Sequence, residues 1–153
     1  MKNYKNAFTM IELIFVVIIL GVLAAVAVPK FTNAKTSAEL ASGKSDIAAI
    51  RSAIMTERQS SLVKGEQDYI TKLTPTTAST MLFTGDGGVS GNPERRLLNP
   101  GIRKGTGAGD WNIISNTTYT FNSGNDTTTF TYEDANGTFT CVVGANECDR
   151  LAD

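Results

Sequence analysis

The sequence contains no histidine, and with it go the usual general base near neutral pH and the commonest transition-metal ligand. Hydrolytic triads and zinc sites are therefore not expected, and no catalytic residue, metal ligand or cofactor is assigned. Charge is also sparse, at 19% of 153 residues with a formal net charge of -1. The fourteen Lys and Arg residues are scattered, so no basic stripe is available to follow a phosphate backbone. Direct nucleic-acid binding is not indicated. Only two cysteines occur, Cys141 and Cys148, with six residues between them. That spacing is too wide for a redox motif and offers too few ligands for a metal. It predicts one structural disulfide, contributing about 2–3 kcal/mol in the chain-entropy picture, and an oxidising compartment. The alternative is two unpaired thiols in a cytosolic domain.

The sequence does have a long apolar run. From Leu13 to Val28 it reads LIFVVIILGVLAAVAV without a polar side chain, and extending back to Phe8 adds only Thr9 and Glu12 as interruptions. As a helix, 8–28 would reach roughly 31 Å, close to the hydrocarbon thickness of a bilayer. Glu12 is the anomaly. A carboxylate deep in hydrocarbon costs about 2.5–3.5 kcal/mol even on lenient insertion scales, so it should lie near the interface, protonated or paired. A free α-amino group made by cleavage before Phe8 would supply a cation one turn away, and a helix N-terminus also favours a carboxylate.

Asn6-Ala7-Phe8-Thr9-Met10-Ile11-Glu12-Leu13, preceded by Lys2 and Lys5 and followed by the apolar run with Gly21 and Pro29, resembles the class III leader of type IV pilins and type II secretion pseudopilins. The resemblance covers roughly the first thirty residues. It implies cleavage between Ala7 and Phe8 by an inner-membrane prepilin peptidase, N-methylation of Phe8, and a registry role for Glu12 against a neighbouring subunit's N-terminus. The family's usual residue before the cut is glycine; here it is Ala7, and slower processing is the largest effect expected. A rival reading is a conventional secretory signal ending at Ala25-Val26-Ala27, which would leave a periplasmic binding domain starting at Val28. Lysines flank the span on both sides, so charge does not orient it, and an N-terminus facing the cytoplasm follows from the resemblance alone.

Beyond Pro29, Leu40, Ile47, Ile50, Ile54, Met55 and Leu62 fall on one helical stripe, with Lys44, Asp46, Arg51 and Glu57 expected to point elsewhere. The simplest origin is continuation of the first helix to near Arg58, with a kink or local melting between Gly21 and Pro29. Between Lys64 and Asp110 turn signals dominate, and a short helix over 78–83 is the one regular element considered. Asp86, Asn92 and Glu94 carry calcium-compatible oxygens, but a flexible surface loop is the preferred reading. The Gly105–Gly109 run lacks the strand before it and the Gly-Lys-Ser after it that a phosphate loop needs.

From Trp111 the period switches to two: Tyr119 and Phe121, Phe130 and Tyr132, then Phe139, Cys141 and Val143 alternate with threonine. These are half-buried antiparallel strands, joined through Ser123-Gly124-Asn125-Asp126 and Asp134-Ala135-Asn136-Gly137. Asn136 lies in an Asp-x-Asn-x-Thr pattern that suits bacterial N-glycosylation, although turn chemistry alone explains those residues.

The expected architecture is α+β: a long N-terminal helix, membrane-spanning in its first half and amphipathic in its second, packed on a roughly four-stranded antiparallel sheet. The expected divisions are a leader over 1–7, a transmembrane and assembly helix over 8–29, and an exported head over 30–153. Within the head they are an amphipathic helix at 30–64, loops at 65–110, a sheet at 111–143 and a disulfide-closed tail at 141–153. The resemblance implies a single-pass inner-membrane precursor that becomes a structural filament subunit. Its implied partners are prepilin peptidase, copies of itself and other pilin-like subunits, an inner-membrane assembly platform, and lipid before assembly. A minor tip subunit or adhesin, and a pseudopilin of a DNA-uptake filament, are the alternatives within that class.

Overall fold

The computed structural model describes residues 8–88, 94–124, 126–142, 144 and 147–152. The chain divides into two compact units, one up to Lys35 and one from Thr36 onward, and helix α1 (Met10–Val63) contributes to both.

In the first unit every described side chain is exposed. The helix continues through Gly21 and Pro29 without interruption, where local melting was expected. Proline costs the helix one hydrogen bond by lacking an N–H, and the surrounding apolar residues offer the backbone no alternative partner. One turn further on, the Thr32 hydroxyl donates to the Val28 carbonyl at 3.0 Å.

In the second unit, α1 buries Leu40, Gly43, Ile47, Ile50, Ile54, Glu57 and Ser61, which alternate steps of three and four along one stripe. Met55 and Leu62, expected on this stripe, are half exposed because each sits one residue, about 100°, past a buried position. Gly43 sets how close the helix lies to the sheet: a Cβ there would fall 2.6 Å from Phe121 Cζ and 3.1 Å from Leu151 Cδ2. The helix ends beyond Arg58, at Val63. Gly65 adopts φ 87°, its N–H bonds the Leu62 carbonyl at 3.1 Å, and the Glu66 N–H bonds the Ser61 carbonyl at 3.0 Å. This is a Schellman ending, which only glycine enters without a Cβ penalty.

The main sheet is the expected meander: β3 (Trp111–Ile113), β4 (Thr118–Asn122), β5 (Thr127–Glu133) and β6 (Thr138–Cys141), antiparallel in sequence order. Its register places Trp111 opposite Phe121, Tyr119 opposite Phe130, and Tyr132 opposite Phe139. Six aromatic rings thus share the face turned to the helix, and Phe130 and Phe139 stack with centroids 5.2 Å apart. Thr129, Thr131, Thr138 and Thr140 face outward as expected, while Val143 and Asn125 lie outside the described residues.

The segment before the sheet departs from expectation. Residues 78–83 do not form a helix; β1 (Met81–Leu82) pairs with β2 (Ile102–Arg103) in a two-stranded ribbon. Phe83 has φ 59°, which a helix does not admit, and its N–H donates to the Thr74 hydroxyl oxygen at 3.0 Å. That backbone turn delivers its fully buried ring to Trp111, Tyr119 and Phe139. A second helix, α2 (Cys148–Ala152), was not expected and inserts Leu151 into the core beside Gly43.

Candidate functional site

The start of α1 carries the chemistry that the sequence singled out. Thr9 precedes the first helical residue, its hydroxyl oxygen accepts the Glu12 N–H at 3.3 Å, and the Glu12 carboxylate accepts the Thr9 N–H at 3.5 Å. Such a reciprocal pair is a capping box, in which two helix-end donors find side-chain acceptors. The Glu12 charge thereby sits at the positive end of the helix dipole, a favourable place for it. Thr9-Met10-Ile11-Glu12 already spells this S/T-x-x-E signature, so Thr9 could have been found from sequence. Phe8 is 80% exposed one residue upstream, and residues 1–7, Ala7 among them, lie outside the described residues.

Beyond the cap, α1 is the one described helix long and apolar enough to cross a membrane, and none of its most apolar eighteen-residue window is buried. Leu13, Phe15, Ile18, Leu20 and Val22 are each more than half exposed. Apolar exposure all round a helix is stable only in lipid or against other apolar helices.

In the second unit the polar groups serve the fold. Cys141 and Cys148 form a disulfide with Cα atoms 5.8 Å apart, which ties β6 to α2. Glu57, expected to point away from the apolar stripe, lies on it and is 5% exposed in its side chain. It receives the Arg95 guanidinium through Nε at 2.5 Å and Nη2 at 2.8 Å, and the Ser61 hydroxyl at 2.6 Å. Burial works against the charge of Arg95, but the hydrogen bond and charge of Glu57 outweigh it and raise its pKa. Asp86 is buried and accepts the Gly88 and Arg95 N–H groups at 2.9 and 3.0 Å. Asp86 thus organises a turn, Glu94 pairs with Arg96 at 3.0 Å, and Asn92 lies outside the described residues. Among the described residues no group of three or more His, Cys, Asp or Glu is placed to hold a metal.

Three further polar groups anchor the aromatic core. The Trp111 indole donates to Asp46 at 3.0 Å; burial raises the Asp46 carboxyl pKa and this bond partly opposes the rise. Burial also pushes the Tyr119 hydroxyl up to about 12, and it raises that of Tyr132, whose O–H donates to the Ile70 carbonyl at 2.7 Å. Asn136 sits exposed at the β5–β6 tip.

Residues 2–28 match the model of the prokaryotic N-terminal methylation motif. The chain carries that motif. The segment so identified contains Phe8, the Thr9–Glu12 cap and the whole run to Val28. Over 56 residues the chain is 39% identical to a type IV major fimbrial protein FimA of Dichelobacter nodosus, covering 37% of this chain and 36% of that protein. Over 53 residues it is 40% identical to the type II secretion system core protein G of Pseudomonas aeruginosa, covering 35% and 37% respectively. The chain thus spans little more than a third of the curated relatives it matches. No solved structure matches it.

Proposed function

We propose that this chain is a structural subunit of a type IV pilus-like filament, a pilin or a secretion pseudopilin, that polymerises through its N-terminal helix. The observation that supports it most is the apolar first part of α1, headed by the Thr9–Glu12 cap and with none of its most apolar eighteen-residue window buried, together with the match of residues 2–28 to the methylation motif. In this reading a prepilin peptidase cuts between Ala7 and Phe8 and the new amine is methylated. The helix holds the precursor in the inner membrane with the head outside the cytoplasm. Assembly at an inner-membrane platform then exchanges lipid for the helices of neighbouring subunits.

Glu12 supplies registry. A subunit advanced by the wrong step would leave its carboxylate in an apolar bundle without a neighbour's amine, and an unpaired buried charge is strongly destabilising. Gly21 and Pro29 are the weakest points of the helix and the places where it can open within a filament. The role is structural and requires no catalytic residue.

Mass measurement of the mature chain tests the processing: methylated Phe8 at the N-terminus is expected, and a start at Val28 would mean an ordinary secreted domain. Glu12→Ala should insert into membranes at wild-type levels but give few or no filaments; normal filament yield from that variant would remove the registry role.

A further inference from the structure

Three Asn-x-Thr triplets occur in the second unit, at Asn116-Thr117-Thr118, Asn125-Asp126-Thr127 and Asn136-Gly137-Thr138. All three fall at or beside the connections between strands of the meander, so turn chemistry accounts for asparagine in each. They differ two residues upstream. Ile114 precedes Asn116, Ser123 precedes Asn125, and Asp134 precedes Asn136. Asn136 alone has an acidic residue at that position.

At Asn136 the side chain closes an Asx turn, which leaves its amide nitrogen on the outside. Its side-chain carbonyl oxygen accepts two hydrogen bonds, from the Thr138 N–H at 3.0 Å and from the Thr138 hydroxyl at 2.7 Å. The amide nitrogen Nδ2 is left without a partner among the described residues. Asp134, Ala135, Asn136 and Thr138 are all exposed. The tip is held underneath, where Gly137 at φ 70° rests on the Tyr69 ring, so the reactive edge faces solvent.

We propose that Asn136 is an acceptor site for N-linked glycosylation by a membrane oligosaccharyltransferase acting outside the cytoplasm. In the step, Nδ2 of Asn136 attacks the anomeric carbon of a sugar carried on a polyprenyl pyrophosphate. The nitrogen–carbon bond forms as the carbon–oxygen bond to pyrophosphate breaks. The lipid pyrophosphate leaves with the electron pair, and a base of the transferase takes the amide proton. Asp134 and Thr138 are recognition residues for the transferase, and Thr138 also fixes the orientation of the amide. A glycan here adds bulk and hydration to one exposed turn and displaces none of the core.

The site rests on the proposed export of the head, and the Cys141–Cys148 disulfide gives a separate marker of that export. The full chain is expressed in a bacterial host with a periplasmic oligosaccharyltransferase and its lipid-linked oligosaccharide. Glycan is then scored by peptide mass only on molecules carrying the disulfide. Expected is one glycan, on the peptide containing Asn136. It should be lost in Asn136→Gln and Thr138→Val, retained in Thr138→Ser, and reduced in Asp134→Ala. Oxidised protein with Asn136 unmodified would overturn the proposal while leaving the filament reading intact. Equal modification of Asn116 or Asn125 would overturn the role given to Asp134.

Discussion

Residues 8–35 and residues 36–152 satisfy apolar side chains in opposite ways. The first stretch has none buried. The second closes sixteen apolar residues, from Leu40 to Leu151, into a core of its own. A segment that depends on lipid or on neighbouring helices is constrained in sequence at each position that a partner reads. A self-contained head is constrained only to be apolar and to fit, and many sequences do that. The comparisons divide the same way, since the methylation motif stops at residue 28 and no solved structure matches the chain.

The contrast can be broken most forcefully in the head. Trp111→Ala removes the ring that meets Phe83, Phe121, Phe130 and Phe139 and strands the Asp46 carboxylate, so about 3–5 kcal/mol of head stability should go. Chemical denaturation of purified protein measures this, and membrane association of the precursor should not change. Gly43→Ala forces a methyl against Phe121 and should cost about 1–3 kcal/mol through overpacking, even though alanine is the better helix former. An unchanged midpoint would show that Phe121 can move aside.

In the other region, Thr9→Val deletes the acceptor for the Glu12 N–H and should cost about 1 kcal/mol of cap stability. The expected readout is faster amide exchange over residues 10–13 in lipid, with the head unaltered.

The smallest effect concerns pH. Because burial raises the Asp46 pKa above 3.8, the folded head binds that proton more tightly than the unfolded chain does. The contribution of this group to stability is greatest below its ordinary value and is lost as pH rises through the raised one. Asp46→Asn keeps an oxygen for the Trp111 indole and removes the charge. At pH 7 it should be neutral or stabilising by up to about 0.5 kcal/mol. The difference from wild type should shrink when urea midpoints are compared near pH 3.

Much of this was legible in the sequence. The meander could be read because Phe130 and Tyr132 alternate with threonine over a seven-residue strand, long enough to display a period of two. The β1–β2 ribbon could not, since two-residue strands carry no period and the positive φ of Phe83 is set by Thr74 and the core. Glu57 reads as a charge set apart from the apolar stripe until the fold brings Arg95 to it, and α2 is too short to show an amphipathic pattern. At the N-terminus, the Glu12 anomaly was plain from its apolar surroundings. Its local partner Thr9 was equally readable through the capping signature.

The placement of Leu151 and Cys148 bears on the order of events in synthesis. Both are buried, and Leu151 closes the gap that Gly43 leaves against Phe121. The helix stripe emerges from the ribosome early, while the residues that complete its packing emerge only after the entire meander. Until then the head is short of part of its core. The final link, between Cys141 and Cys148, needs two thiols to be oxidised after β6 and α2 have met, so it is the last constraint placed on the head.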